Sequence, residues 1–236
     1  MKHTKILGSL IASGMMFSML PTASAEEVHS QYTVNICAVM FPQKGKAEEL
    51  RSALLSLVKP TRTEEGHITY DVYQEKNGGF FLHEVWRSQA DLERHFKKPY
   101  IQDFVKKSAT LLEGANDAHF GKLVAATSKA AGTAIDAKAA STVHICSIKR
   151  PRKGKEVALR EALSALVKPT NAEEGNLTYN IYEEADGSLF LYEAWRSQAD
   201  LDNHFAKPYI KDFQTKVGDL AERNQVFFGK VISEAK

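Results

Sequence analysis

The chain has 236 residues, of which 25% are charged and 43% are hydrophobic, an ordinary globular composition that suffices for two modest domains. Its 31 basic and 29 acidic residues give a net charge of +2, and removal of an N-terminal leader with two lysines would leave it near neutrality. Such a chain offers no bulk positive field to phosphate backbones, which excludes nucleic acid as an expected partner.

The first 25 residues have the pattern of a secretory signal peptide. Lys2 and Lys5 form a basic start, and residues 6–20 are an apolar run that is short for a membrane span. Residues 23–25 read Ala-Ser-Ala, a cleavage pattern. We therefore expect a soluble, exported protein that begins near Glu26, is periplasmic or secreted, and has no membrane attachment after cleavage.

The rest of the chain is a tandem repeat. Residues 34–104 align with 143–213 at a constant offset of 109, without a gap and with roughly three positions in five identical. The match resumes, after one deletion, between HFGKLV (119–124) and FFGKVI (227–232). The expected organisation is one domain at 32–124, an Ala-rich linker at 125–141, and a second copy of the domain at 142–232.

Each copy shows the same series of predicted elements. YTVNICAVM is apolar on both faces, which is typical of a buried strand, and the helical pattern that follows is expected to end at Pro60. The strands HITYDVYQE and GFFLHEVWR flank Asn77-Gly78, a type I′ turn signal. Ser88 opens a capping box, and Pro99 starts the next helix before a last strand. The corresponding residues of the second copy are Pro169, Asp186, Gly187, Ser197 and Pro208.

The order β-α-β-β-α-(α)-β is that of a ferredoxin-like α+β unit, in which helices cover one face of an antiparallel sheet. The strands carry few charges on either face, so the second face also needs cover, and the other copy can supply it. We predict two tandem ferredoxin-like domains that form an intramolecular dimeric α+β barrel with a pseudo-twofold axis. We also expect the space enclosed between the two sheets to hold the functional side chains.

Cys37 and Cys146 occupy the same place in the two copies. Export permits a disulfide, but each cysteine lies in an apolar, strand-like run, so we expect two buried thiols that act as small hydrophobic side chains. A bond would require the first strands of the two copies to approach within disulfide reach.

The longest conserved motif of the repeat resembles the antibiotic biosynthesis monooxygenase superfamily, and in particular its quinol-monooxygenase-like branch. EEGHITYDVY and then FLHEVWRSQADLERHFKKPY fit the pattern E-G-x-x-x-Y followed by E-x-W-x-S-x-x-x-L-x-x-H. The resemblance implies the fold above, a small aromatic substrate with oxygen, and no cofactor. Family members are usually homodimers of one such domain, so the dimer would here be built into one chain. The matching residues are Glu65, Gly66, Tyr70, Glu84, Trp86, Ser88, Leu92 and His95, and in the second copy Glu174, Gly175, Tyr179, Glu193, Trp195, Ser197, Leu201 and His204.

One imidazole and one carboxylate per copy are the candidate catalytic groups. His95 can take a phenolic proton, because imidazole titrates near neutrality, or it can be a packing residue bonded to Asp91. Glu84 shares a strand face with Leu82 and Trp86, and it is either a pocket acid or base or a carboxylate that orders the sheet. The predicted catalytic residues are His95, His204, Glu84 and Glu193, and the predicted substrate-binding residues are Tyr70, Tyr179, Trp86, Trp195, Tyr100, Tyr209, Asn35 and His144.

Two departures from the family patterns affect the functional prediction. Quinol-oxidising relatives commonly have a second histidine just after the proline, where this chain has Tyr100 and Tyr209. The haem-degrading branch has its iron-ligating histidine at the positions of Val105 and Gln214, so we expect no haem. The chain also lacks the recognisable nicotinamide, flavin and zinc motifs, and we expect neither cofactor nor metal.

The two copies also differ at individual positions: Asn35 becomes His144 and His67 becomes Asn176, substitutions that would tune two active halves differently. The expected function is that of an exported, cofactor-independent monooxygenase acting on a quinol or polyphenol-like substrate. The alternatives are a non-catalytic binder of small ligands and a proton-shuttling isomerase on the same scaffold.

Overall fold

The computed structural model describes residues 33–127 and 141–233. The predicted signal peptide and most of the predicted linker lie outside the described residues. Across the described part of the chain, no helix combines the length and apolar character needed to cross a bilayer.

The two halves repeat one order of elements. The first half contains β1 (Val34–Met40), α1 (Ala47–Arg62), β2 (His67–Glu75), β3 (Phe80–Trp86), α2 (Gln89–Phe96), α3 (Pro99–Ser108) and β4 (Asp117–Ala126). The second half contains β5 (Val143–Pro151), α4 (Glu156–Asn171), β6 (Asn176–Glu183), β7 (Leu189–Trp195), α5 (Gln198–Ala206), α6 (Pro208–Leu220) and β8 (Ala221–Val231). Strand β4 includes the first two residues that were assigned to the linker.

The eight strands close into one antiparallel barrel in the order β1-β3-β2-β8-β5-β7-β6-β4. Strand β8 joins the first half by pairing with β2, and β4 joins the second half by pairing with β6. The last strand of each half therefore completes the sheet of the other. The predicted fold class, two ferredoxin-like units forming an intramolecular α+β barrel, is confirmed.

Each strand separates two different cores, because successive side chains point to opposite faces. The helix-facing side of the first half packs Leu50 and Leu54 of α1 against Val72 and Leu82 of the sheet. The barrel interior is shared, and it is filled by side chains from both halves. These are Cys37, Val39, Tyr73, Phe81, Cys146, Ile148, Tyr182, Phe190, Tyr192 and Phe227.

The prediction of two free thiols is wrong, because Cys37 and Cys146 form a disulfide inside the barrel. Their Cα atoms lie 6.9 Å apart, so β1 and β5 approach each other across the closed barrel as a bond requires. The repeat places the two cysteines at equivalent positions, and the closure of the barrel turns both towards the shared interior.

Two local predictions were also wrong. Helix α1 does not end at Pro60 but continues to Arg62, because the proline lacks only its own N–H donor. The N–H groups of Thr63 and Glu64 bond to the carbonyls of Pro60 and Thr61.

The β2–β3 hairpin does not use the predicted type I′ turn. The Gly78 N–H bonds to the Glu75 carbonyl, which places Lys76 and Asn77 at the centre of the turn and Gly78 after it at φ +91°. The predicted helix starts are confirmed, because Ser88 caps α2 by accepting a bond from the Asp91 N–H, and Pro99 is the first residue of α3.

Candidate functional site

The repeated motif residues lie between the sheet and the helices of each half. Glu84 and Trp86 on β3 and Tyr70 on β2 belong to the helix-facing side, and the His95 ring of α2 lies 4.6 Å from the Trp86 ring. The expectation that the enclosed space between the halves would hold these groups is therefore wrong. Each half has its own candidate site, and the barrel interior separates the two.

The centre of the first site is a carboxylate that binds an imidazole and a phenol. The His95 Nδ1–H donates to Glu64 Oε1 over 2.7 Å, and the Tyr100 hydroxyl bonds to the same oxygen. Thr61 Oγ1 lies 3.2 Å from the Tyr100 hydroxyl. The sequence offered Asp91 as an alternative hydrogen-bond partner of His95, but Asp91 binds Arg87 and Arg94 instead. The hydroxyl of Ser88 also bonds to Asp91.

The bond to Glu64 fixes the tautomer of His95. A carboxylate only accepts hydrogen bonds, so the proton lies on Nδ1, and Nε2 is left as the basic nitrogen. Nε2 has no hydrogen-bond partner among residues 33–127 and 141–233. Burial lowers the pKa of His95, and the neighbouring Glu64 carboxylate opposes that effect. The imidazole is therefore mainly neutral at pH 7 and available as a base.

A second acidic group lies next to Trp86. The Trp86 indole N–H donates to Glu84 Oε2 over 3.1 Å. Glu84 is buried, which raises the pKa of its carboxyl to about 7, against the opposing effect of the indole bond. A carboxyl group with such a pKa exchanges protons near neutral pH, as a general acid or base requires.

The second half repeats this arrangement. His204 Nδ1 donates to Glu173 Oε1 over 2.6 Å, and the Tyr209 hydroxyl bonds to the same carboxylate. The Trp195 indole donates to Glu193 over 3.1 Å and lies 4.4 Å from the His204 ring. The same geometry therefore occurs once in each half.

The charges around the second carboxyl differ from those in the first half. Burial raises the pKa of Glu193, while His204 and the buried amine of Lys149 oppose the increase. The first half has Met40 at the position of Lys149, so no such cation acts on Glu84.

Glu64 is the functional residue that sequence reasoning missed. The motif drew attention to Glu65, but the Glu65 side chain is 77% exposed and pairs with Arg87, whereas the side chain of Glu64 is buried. Both positions are repeated, since the sequence reads EEG in each copy. The signal was therefore present, and only the structure separates the surface glutamate from the internal one.

The backbone around Gly66 explains how Glu64 reaches the site. Gly66 has φ +85°, which lets the chain turn sharply from α1 into β2, and its carbonyl accepts a bond from the Arg87 N–H. A Cβ at this position would lie 2.1 Å from Asp91. The motif glycine therefore holds the end of α1, with Glu64, against the start of α2.

A cavity of about 400 Å³ opens onto the second site, within the size range of small-ligand sites. Its lining includes Trp195, Glu173, Tyr209, Asp200 and Lys207. The carboxylate that holds His204 therefore borders a space in which a small molecule fits.

The remaining predicted residues fall into two groups. Tyr70 lies 6.0 Å from the His95 ring, and Tyr179 lies 6.1 Å from the His204 ring, so the structure places both tyrosines at the sites. Asn35 and His144 lie on the opposite face of the sheet, towards the barrel interior, where His144 Nδ1 bonds to the Tyr192 hydroxyl. The structure therefore does not bring Asn35 or His144 together with the other site residues.

Within the described ranges, no group of three or more histidine, cysteine, aspartate or glutamate side chains is arranged to hold a metal ion. Each carboxylate–imidazole pair supplies only two potential metal ligands, and these two groups are hydrogen-bonded to each other. The arrangement is suited to proton transfer at an apolar aromatic surface.

Comparison with known proteins gives one consistent result. The family model described as antibiotic biosynthesis monooxygenase matches the chain twice, at residues 33–107 and 143–216. A candidate monooxygenase of Mycobacterium tuberculosis is 42% identical over 74 residues, which are 31% of this chain and 73% of that protein. A candidate monooxygenase of Bacillus subtilis is 34% identical over 74 residues, 30% of this chain and 78% of that protein.

The whole two-half fold also has a solved counterpart. A candidate monooxygenase of Fusobacterium nucleatum superposes with a TM-score of 0.69 at 17% identity, covering 85% of this chain and 93% of that one. At this identity the likeness concerns the fold alone.

Proposed function

The chain belongs to the antibiotic biosynthesis monooxygenase family, and we propose that it is a cofactor-independent monooxygenase that oxidises quinol or polyphenol-like substrates. The observation that carries the proposal is the Glu64–His95 pair beside Trp86, repeated as Glu173–His204 beside Trp195. It supplies a base whose tautomer is fixed and an aromatic surface next to it.

The first chemical step is removal of a phenolic proton. His95 Nε2 takes the proton, and the resulting imidazolium is stabilised by the Glu64 carboxylate at Nδ1. The phenolate that forms is electron-rich enough to give an electron to oxygen. Burial of the site excludes water and keeps the base neutral until substrate arrives.

The overall reaction balances without an added reductant. A hydroquinone and O₂ give a hydroxyquinone and water: one oxygen atom replaces a ring hydrogen, the other leaves as water, and all four electrons come from the substrate. We assign to Glu84 the delivery of a proton to the departing oxygen, a role supported by its bond to the Trp86 indole and by its raised pKa of about 7.

Oxygen uptake tests the proposal. The purified protein is incubated aerobically with hydroquinone, and oxygen consumption and quinone absorbance are recorded beside the H95A, H204A and doubly substituted variants. We expect partial loss in each single variant and loss of 100-fold or more in the double variant, because general base catalysis contributes on the order of 10² or more. Near-UV circular dichroism verifies that the variants keep their fold.

The opposite result leads to a different function. Wild-type protein that binds hydroquinone but neither consumes oxygen nor changes its absorbance would be a binder rather than a monooxygenase. Conversion of the phenol without oxygen uptake would identify an isomerase.

We also propose that the enzyme acts outside the cytoplasm. The basic start, the apolar run at 6–20 and the Ala-Ser-Ala sequence at 23–25 support export. N-terminal sequencing of the protein recovered from the cell envelope or the medium should begin at Glu26, and a protein that retains Met1 and stays in the cytoplasm would contradict export.

A further inference from the structure

A β-bulge turns His67 towards the first site. The register between β2 and β3 shifts between His67 and Thr69, so that Ile68 is an extra residue, His67 lies opposite Trp86, and Tyr70 lies opposite Glu84. Residues three positions apart on a regular strand face opposite sides, but the extra residue brings position 67 to the same face as position 70. His67 therefore shares the helix-facing side with Trp86.

One nitrogen of the His67 ring is buried without a hydrogen-bond partner among the described residues. Its ring meets the Trp86 ring edge-on, with the centroids 6.1 Å apart and an interplanar angle of 80°. Nε2 is buried and has no hydrogen-bond partner in the described part of the chain. A buried polar atom without a partner costs free energy, so its presence at a binding site points to a ligand that supplies the missing bond.

The electrostatic surroundings keep this imidazole neutral. Burial and the positive charge of Arg62 lower the pKa of His67, and the nearby carboxylates of Asp71 and Glu64 oppose this decrease without cancelling it. With its proton on Nδ1, the neutral imidazole accepts a hydrogen bond from a hydroxyl group at Nε2.

The second half lacks this group. The same bulge is present there, but the residue opposite Trp195 is Asn176, whose Nδ2 donates to the Thr178 carbonyl over 3.1 Å. An imidazole that faces the indole is replaced by a shorter side chain, whose amide nitrogen is bonded to the local backbone. The two sites therefore differ at one position that is directly opposite the tryptophan.

We propose that His67 contacts the substrate in the first half, where Nε2 accepts a hydrogen bond from the second hydroxyl of a dihydroxyaromatic substrate whose first hydroxyl is held by His95. Both imidazoles lie next to the same Trp86 ring, with centroid distances of 6.1 Å for His67 and 4.6 Å for His95. The second half, with Asn176, accepts phenols with one hydroxyl about as well as those with two. The inference rests on the proposed function, because it assumes that phenolic molecules bind beside Trp86.

Binding is measured anaerobically, so that the test does not depend on turnover. The chain has two tryptophans, one in each half, and the W195F variant leaves Trp86 fluorescence as a reporter of the first site. The probes are hydroquinone and 4-methylphenol, which differ by replacement of one hydroxyl with a methyl group of similar size. The substitution H67N copies the residue that the second half carries at the same bulge, and N176H in the W86F background is the reciprocal change.

We expect the first site to bind hydroquinone about 10-fold more tightly than 4-methylphenol, equivalent to about 1.4 kcal/mol. H67N should remove this preference, and N176H should create one in the second site. Equal affinities for the two probes in the first site, or a preference that H67N leaves unchanged, would overturn the assignment. If the preference for hydroquinone depends on His67 but the protein consumes no oxygen, the assignment of His67 is upheld and the proposed oxidation is refuted. If oxygen uptake requires His95 but binding shows no preference that depends on His67, the oxidation is upheld and the assignment of His67 is refuted.

Discussion

Removing the charge of Glu64 is the most direct test of the carboxylate–imidazole pair. The E64Q substitution keeps the size of the side chain but replaces the charge-assisted bond to His95, 2.7 Å long, with a neutral one. A hydrogen bond to a charged group contributes about 1.5–3 kcal/mol, so kcat/KM should fall on the order of 10- to 100-fold. The measurement uses the H204A background, in which only the first half retains its proposed base.

The pH dependence of the same variant gives a signature that a structural role would not give. The Glu64 charge raises the pKa of His95, so its removal leaves the lowering effect of burial unopposed. Because the base must be unprotonated, the acid limb of the profile of kcat/KM should move to lower pH. E65Q, which changes the adjacent exposed glutamate, is the matched control and should leave both kcat/KM and the pH of its acid limb unaltered. An E64Q profile that keeps its acid limb and its plateau would refute the role assigned to the pair.

Three further predictions concern stability. The C37S/C146S double variant should lose up to about 5 kcal/mol of unfolding free energy in urea titrations, because the bond links residues 109 positions apart; an unchanged midpoint would contradict this. Burial raises the pKa of Glu84 from 4.5 to about 7, so its contribution to stability falls as pH rises through this window. E84Q should therefore match wild type near pH 4 and exceed it by up to about 3 kcal/mol at pH 8, measured by thermal unfolding; a constant difference would be evidence against the shifted pKa. G229A should lower the melting temperature by the equivalent of about 1–3 kcal/mol, because its Cβ would lie 2.6 Å from the Phe81 ring, and an unchanged melting temperature would exclude that close contact.

The fold was predictable from the sequence because its signals are local and doubled. Each signal determines the structure of only a few neighbouring residues, and the second copy repeats it. Examples are the apolar periodicity of each element, the capping serine at position 88 and the proline at position 99. The need to cover the second sheet face then led to the barrel. The turn after β2 was mispredicted because Asn77-Gly78 is compatible with more than one loop length, and hydrogen bonding to Glu75 decides between them.

The site was only partly predictable, because periodicity shows which residues share a face but not what that face meets. Glu84 and Trp86 were correctly placed together, yet they face the helices rather than the twin sheet. The bulge at Ile68 breaks the period of two, so the position of His67 could not be read from its spacing to Tyr70. The partner of His95 is 31 residues away in sequence, and no local pattern identifies it.

The position of the two sites explains how a fused duplication can diverge. The barrel interior is a shared core, closed by the disulfide and by the Tyr73–Tyr192 hydroxyl bond of 2.7 Å, so a change there affects both halves. The helix-facing sides are separate, and a substitution on one side leaves the packing of the other intact. Two differences at the sites lie on that face: His67 stands opposite Trp86 where the second half has Asn176, and the buried amine of Lys149 replaces a methionine. The halves also differ inside the barrel, where Asn35 corresponds to His144. One half can in this way change its substrate preference while the common barrel continues to stabilise both.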